Sequence, residues 1–455
     1  MTSGDGIFAK KLLWVVMILF LSMGFGCGGG GGSGGSSGGG GSSPGGDDGP
    51  AAPAEFVVLA WNDLGMHCLN PTYDELVILP PYNTVWAQVI EKGDPPRIVT
   101  DGITVEYAMV NNTSSADKRD YGQFWEFDTV LFGVDLDLDT GLNLVEPDLN
   151  NGLSGLMQPA GDHFQVDGIP VTPVDDQLNY SAYQVMEIIV KDESGLEIAQ
   201  TRATVPTSDE INCAKCHGQN AFQDILEEHD DEAGTNLLAN QPVLCAECHG
   251  SPALLAPPEG GRGSAGSYLS EAIHGSHANR GAACYDCHPG DTTTCNRSLA
   301  HDAPDGNCIT CHSTMAEMAA AMNADLKIPW VDEPACADCH AGIAEVDTGS
   351  ELYRNATGHG GVYCAACHQS PHAMIPSREA TDNYQALQYQ ESEKSIASCG
   401  ACHELSKGPA DEFEEFIEEH GGSDPEEESA CHICHTVVRG DSTAAWPHAF
   451  QWEAR

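Results

Sequence analysis

Basic residues are scarce in this chain. Lys and Arg together number 19 against 68 Asp and Glu in 455 residues, a formal net charge of -49. Such a surface repels nucleic acid and anionic lipid and attracts cations and basic proteins, which excludes a nucleic-acid partner. Membrane-spanning length is missing as well. The apolar run at residues 12–23 is broken only by Ser22; at ~1.5 Å per residue it covers about 18 Å as a helix, short of a ~30 Å hydrocarbon core. Cysteine is absent between 69 and 212, and strand-like patterning is absent after 212. These two absences divide the chain.

The N-terminus, MTSGDGIFAKKLLWVVMILFLSMGFGC, places Lys10 and Lys11 before the apolar run and small residues at Gly24 and Gly26 before Cys27. Residues 1–26 therefore read as a secretory signal peptide. A cysteine there, followed by glycines, resembles a bacterial lipoprotein signal. The resemblance implies that Cys27 is lipidated and becomes the new N-terminus, although Gly24 stands where such signals carry Leu; cleavage without lipid is the competing reading. Either way the chain is expected to be exported, and the lipid reading implies an outer-membrane-anchored lipoprotein facing the periplasm or the cell exterior, with the lipid as its one membrane attachment. Residues 27–53, nearly all Gly, Ser, Pro and Asp after the cysteine, form a flexible tether.

Residues 54–206 read as a β-rich, β-sandwich-like domain. RIVTDGITVEY (97–107) is two β-prone runs around Asp101-Gly102, which predicts a hairpin, and YQVMEIIVKDESGLEIAQTRATV (183–205) repeats the pattern around Asp192–Gly195. Residues 207–455 are built differently. Seventeen of the 19 cysteines fall between 213 and 434, joined by short helical runs and Gly/Pro loops.

That second region holds CAKCH (213–217), CAECH (245–249), CYDCH (284–288), CITCH (308–312), CADCH (336–340), CAACH (364–368), CGACH (399–403) and CHICH (431–435). The composition would give roughly 0.03 copies of C-x-x-C-H by chance, so eight copies are a specific signal for c-type haem attachment. Two thiols three residues apart can add to the two vinyl groups on one edge of a haem, and the next residue then lies under the iron, where imidazole can ligate it. The pattern assigns covalent haem attachment to Cys213, Cys216, Cys245, Cys248, Cys284, Cys287, Cys308, Cys311, Cys336, Cys339, Cys364, Cys367, Cys399, Cys402, Cys431 and Cys434. Proximal ligation falls to His217, His249, His288, His312, His340, His368, His403 and His435. Zinc ribbons need no histidine directly after the second cysteine, and thioredoxin-like sites use one such pair, not eight. Eight haem c groups are the expected cofactors.

With signal, tether and eight motifs in place, the chain resembles the exported multihaem c-type cytochromes, above all the outer-surface electron conduits of metal-respiring bacteria, some of which polymerise into haem wires. The resemblance implies redox partners, metal ions or oxides as electron acceptors, and self-association. The acidic surface favours basic cytochromes or other basic redox proteins as partners. The stretch WNDLGMHC (61–68) looks familiar from such cytochromes but carries no assigned role.

Each iron has a sixth position. Nine histidines of the haem region lie outside the proximal set. His229, His274, His277, His301, His359, His372, His420 and His448 are the distal candidates, and His432, inside its own CHICH turn, is the odd one out. Phe222, Ile225, Leu226 and His229 make an apolar helical stripe ending in an imidazole, as do Phe413, Phe416, Ile417 and His420. His372 follows His368 too closely to wrap to the same iron's other face, so a neighbouring haem is its expected target. Met315, Met318 and Met322 read as packing against a porphyrin, and His67 as a core histidine. Cys68 and Cys295 are left over, available for a disulfide with each other or between molecules; Cys295 in place of Cys308 is an unusual alternative attachment.

Residues 213–455 offer about 30 residues per haem, too few for a core of their own, so the region is expected to be mostly irregular with short helices and to be unfolded without haem. Saturated irons exchange electrons and bind no substrate, which predicts an electron carrier without catalytic residues. The alternative is an octahaem oxidoreductase acting on a small nitrogen or sulfur oxyanion at one open haem. The chain has no C-x-x-C-K motif, and its charge repels anions.

Overall fold

A computed structural model describes residues 55–93, 95–256, 260–290, 292–301, 308–340 and 352–404, all within one compact unit. The signal segment, the lipidation candidate Cys27 and the tether lie outside the described residues, as do Cys431, Cys434, His420, His432, His435 and His448.

Strands dominate the first half. In chain order they are β1 (Phe56–Asn62), β2 (His67–Cys68), β3 (Leu76–Val77), β4 (Val85–Glu91), β5 (Arg97–Ile98), β6 (Ile103–Met109), β7 (Ser154–Leu156), β8 (Gln158–Pro159), β9 (Phe164–Val166), β10 (Tyr183–Asp192), β11 (Glu197–Ser208) and β12 (Val243–Leu244). One sheet runs β1-β4-β9-β8 with β5 also on β4; a second runs β2-β11-β10-β6-β7. Val58, Ala87 and Val89 of the first sheet share one buried cluster with Val105, Ile188 and Val205 of the second. The region is thus a strand sandwich, and β10 shows the alternation this demands, with Met186, Ile188 and Val190 inward and Glu187 between them.

The 183–205 stretch forms the expected antiparallel hairpin of β10 and β11, turning at Gly195 with φ +83°. The 97–107 expectation is corrected. β5 pairs with β4 and β6 with β10, so Asp101-Gly102 carries the chain from one sheet to the other. Both runs suit strands, but a period of two does not specify which sheet a strand joins.

β1 reads FVVLAWN, with almost no polar alternation, because both its faces are covered. Val58 and Ala60 enter the sandwich core, while Val57, Leu59 and Trp61 pack against Tyr363, Ala365 and Ala366 from the cysteine-rich half. The sandwich is therefore the floor on which that half is laid.

Helices are α1 (Gln123–Phe132), α2 (Ala214–His217), α3 (Ala221–Ala233), α4 (Leu269–His277), α5 (Cys308–His312), α6 (Met315–Asn323), α7 (Cys364–His368) and α8 (Tyr384–Gln390). The stripe predicted from Phe222 lies on α3, where Phe222 and Leu226 are buried against Leu76 of β3. Among the described residues from Leu244 onward, half of the buried apolar ones are alanine. Such small side chains cannot make a self-sufficient core.

α8 closes the sandwich's open edge with side chains. The Ala60 N–H donates to Gln385 Oε1 at 2.9 Å, and Gln385 Nε2 donates to the carbonyls of Ala60 (2.5 Å) and Arg202 (3.0 Å). Tyr389 Oη donates to Val58 O at 2.8 Å, and Gln388 Nε2 to Gln200 O at 2.8 Å. An edge strand's orphan amides are thereby paired by a helix rather than by another strand. Replacing Gln385 by Ala leaves the buried Ala60 N–H and C=O unpaired and is expected to cost about 2–3 kcal/mol. Thermal unfolding of the haem-loaded protein should show this with haem content unchanged.

Candidate haem centres

Each of the seven described C-x-x-C-H motifs is a single tight turn, α-helical at CAKCH, CITCH and CAACH and 3-10 at the others. The closing bond recurs. The histidine N–H donates to the first cysteine's carbonyl at 3.0 Å in His217 and His249, 2.9 Å in His288 and 2.8 Å in His340. In one such turn, positions i, i+3 and i+4 share a face, so two thiols and an imidazole project together. The motif needs nothing from the rest of the fold to take this shape.

The tertiary fold supplies a second histidine. Ring centroids lie 6.3 Å apart for His217 and His277, 6.2 Å for His229 and His249, 6.2 Å for His274 and His288, 6.2 Å for His301 and His340, 6.1 Å for His312 and His372, and 6.0 Å for His359 and His403. Every one of these pairs joins a motif histidine to a distal candidate. An imidazole nitrogen binds a first-row metal at about 2.0 Å and its ring centroid lies about 1.1 Å further back, so two imidazoles on opposite faces of one ion have centroids about 6.2 Å apart, against about 5 Å for two corners of a tetrahedron. The observed spacing matches opposite faces and not a tetrahedral zinc site. The residues present fit an iron held within a flat ring.

The ring nitrogens are sorted for that role. His274 Nδ1 donates to Ser270 O at 2.8 Å, His277 Nδ1 to Ile273 O at 2.8 Å and His372 Nδ1 to Leu64 O at 3.3 Å. A carbonyl only accepts, so Nδ1 carries the proton and Nε2 keeps its lone pair. His217 Nδ1 bonds the Asp224 carboxylate at 2.8 Å, His249 Nδ1 the Ser267 hydroxyl at 2.9 Å, His368 Nδ1 the Ser395 hydroxyl at 2.9 Å and His229 Nδ1 the Thr235 hydroxyl at 3.0 Å. His217, Asp224 and Glu228 also bring one ligand atom each within 4.8 Å of one another, but Asp224 takes Nδ1 and leaves the other nitrogen of His217 available.

Burial, with neighbouring charges, favours the neutral form of several of these rings. Burial, then His372, then Lys327, pushes His312 down to about 4. Burial followed by His274 lowers His288, and burial lowers His372. A neutral imidazole is the form that can ligate.

His67 is arranged the other way. Its Nε2 sits 2.7 Å from Asp63 Oδ1, and both side chains are 7 % exposed, so the nitrogen that the paired histidines keep open is consumed in an internal hydrogen bond. Cys68 and Cys295 carry free thiols; burial, then Cys295, pushes Cys68 up to about 12. Met322 is buried on α6.

Sequence reading missed the groups behind the imidazoles. Asp224, Ser267, Thr235 and Ser395 lie at no fixed offset from the histidines they hold. Asn62 and Gly65 lay in a quoted stretch whose role the sequence did not reveal.

A family profile described as "Cytochrome c7 and related cytochrome c" matches residues 323–404, a segment containing the motifs at 336–340, 364–368 and 399–403. The match supports a multihaem c-type cytochrome with covalently bound haem c, serving electron transfer with redox partners. Neither curated proteins nor solved structures gave a match.

The Asp224 carboxylate adds negative charge to the His217 ring and so favours a more highly charged metal. Asp224 is 45 % exposed, which weakens the effect. Asp224→Asn is expected to raise the midpoint potential of one centre by about 30 mV, half of the ~60 mV that corresponds to a tenfold change in a one-electron equilibrium. Spectroelectrochemical titration measures this, and an unchanged curve would detach Asp224 from that centre.

Proposed function

We propose that this protein carries electrons through a chain of eight covalently bound, bis-histidine haems c, in envelope or extracellular electron transfer. The observation that carries the reading is the set of six histidine pairs, one motif member and one distal candidate in each, at 6.0–6.3 Å. The sixteen motif cysteines hold the haems, and the eight motif histidines are the proximal ligands. His277, His229, His274, His372, His301 and His359 are the distal ligands opposite His217, His249, His288, His312, His340 and His403. His420 and His448, which lie outside the described residues, are the remaining distal candidates.

When bound, haem supplies one-electron cycling between Fe(III) and Fe(II). The protein's own work is to hold and orient. The motif turns aim each thiol pair and imidazole together. The Nδ1 acceptors fix ring orientation and keep Nε2 toward the metal. The strand sandwich provides the surface against which α7 and its neighbours are laid.

The signal and Cys27 support export and a lipid anchor at the outer membrane, with residues 27–53 giving reach. The charge of -49 supports steering toward basic cytochromes or other basic redox proteins, or toward metal cations or oxides. Self-association in the manner of the haem-wire cytochromes belongs to the same reading.

Intact mass of protein matured with haem-loading machinery should show eight added macrocycles. The ferric protein should be low-spin throughout, with two families of electron paramagnetic resonance signal. The His274–His288 planes are 16° apart and those of His229–His249 are 85° apart; parallel planes split the iron's two π-type d orbitals, and crossed planes leave them close in energy. His277→Ala should convert about one iron per chain to high spin. A native high-spin iron with turnover of a small nitrogen or sulfur oxyanion would replace the carrier reading with an octahaem oxidoreductase.

A further inference from the structure

The stretch WNDLGMHC closes on the His312–His372 pair, and its polar residues are used in doing so. Asn62, 2 % exposed, accepts on Oδ1 from the N–H groups of Leu64 at 3.2 Å and Gly65 at 2.6 Å. Its Nδ2 donates to Asn83 Oδ1 at 2.6 Å and Thr84 O at 2.7 Å, anchoring the loop to the start of β4. The loop so formed presents two carbonyls. That of Leu64 accepts from His372 Nδ1. That of Gly65 accepts from the Arg297 guanidinium, which is itself locked by Asp382 at 2.6 and 3.0 Å.

Arg297 also donates its backbone N–H to the His372 carbonyl at 2.8 Å, and Ser370 Oγ donates to the Asn62 carbonyl. The ring of contacts from Asn62 through Gly65, Arg297 and His372 to Ser370 is closed. Gly65 is required twice over. Its φ is +84°, and a Cβ there would lie 3.0 Å from Ser370 Cβ and 3.4 Å from His372 Cβ. Asp63 and His67 tie the two ends of the loop across four residues at 2.7 Å.

We propose that Asn62, Gly65 and Arg297 are positioning residues for the sixth ligand of the haem attached at Cys308 and Cys311. They hold the Leu64 carbonyl where it fixes the proton of His372 on Nδ1, so that Nε2 faces the metal opposite His312. The strand sandwich thereby sets the ligation of one haem from far upstream in sequence, 308 residues separating Leu64 from His372. The inference rests on the bis-histidine reading above, with His312 and His372 as one pair.

The test uses the full, haem-loaded protein. Asn62→Ala, Gly65→Ala and the milder Asn62→Ser are compared with His372→Ala, and with Tyr107→Phe, which removes the sandwich hydrogen bond from Tyr107 Oη to the Gly152 carbonyl and touches none of these groups. His372→Ala should produce about one high-spin ferric iron per chain. The loop variants, with haem mass unchanged, should produce part of the same high-spin signal or move one midpoint potential, while Tyr107→Phe moves neither. The proposal is overturned if His372→Ala opens an iron while the loop variants keep every spin state and potential of the parent. If His372→Ala opens no iron, the pairing of His312 with His372 fails first, and the loop's role falls with it. Should the two alanine variants not accumulate, Asn62→Ser alone decides.

Discussion

Two imidazoles, one from a C-x-x-C-H turn and one from a distant segment, meet at a centroid separation of 6.0–6.3 Å six times among the described residues. The cysteine-rich half is arranged around this spacing. Among its described residues many buried side chains are small and much of the backbone is turns, so apolar burial between side chains does little to dictate where one segment lies on the next. Gaps of this width, flanked by thiols on one edge, are what a flat ring with a central metal would fill. The covalent attachment of such rings would also restrict the unfolded chain, as cross-links do.

The strand sandwich solves a complementary problem. A region without a core needs a rigid surface, and β1 provides one by being apolar on both faces. Its inner residues complete the core with the second sheet, and its outer residues Val57, Leu59 and Trp61 receive Tyr363, Ala365 and Ala366. Trp61 and Tyr363 have ring centroids 5.4 Å apart, so the residue preceding Cys364 is held by aromatic packing as well as by the backbone. α8 returns the favour by pairing the sandwich's edge amides. Each half satisfies groups the other would leave exposed or unpaired, which explains why both fall within one compact unit.

Legibility in the sequence followed the range of the interaction. The motif turns could be read because the spacing of two cysteines and a histidine fixes its own local geometry. The β10–β11 hairpin could be read for the same reason, since its turn residues are contiguous. The fate of residues 97–107 could not, because β5 and β6 are equally good strands whichever sheet receives them. The distal histidines could be counted but not matched. Which imidazole faces His217 depends on how α4 crosses α2, and nothing near His277 in sequence encodes that. The Nδ1 acceptors were further out of reach, since three of them are backbone carbonyls, which every residue possesses.

The pairing also shows that proximity among the centres departs from chain order. His274 and His277 stand one turn apart on α4, a separation of about 5–6 Å between Cβ atoms, and they face His288 and His217 respectively. The first and third motifs must therefore be neighbours, and the ion pair of Lys215 with Asp286 joins the same two turns directly. His229 lies on α3, whose Asp224 holds His217, yet it faces His249, which brings the first motif beside the second. His368 and His372 are four residues apart, and His372 faces His312, so the sixth motif lies beside the fourth. In each case one short stretch of chain serves two centres at once. Neighbouring centres cannot then move independently, and their separation is set by a few residues of chain, one helical turn in the case of α4, rather than by the packing of two domains. Electron transfer between centres needs them held close together, and sharing a histidine-bearing stretch of chain is an economical way for a thin polypeptide to do so.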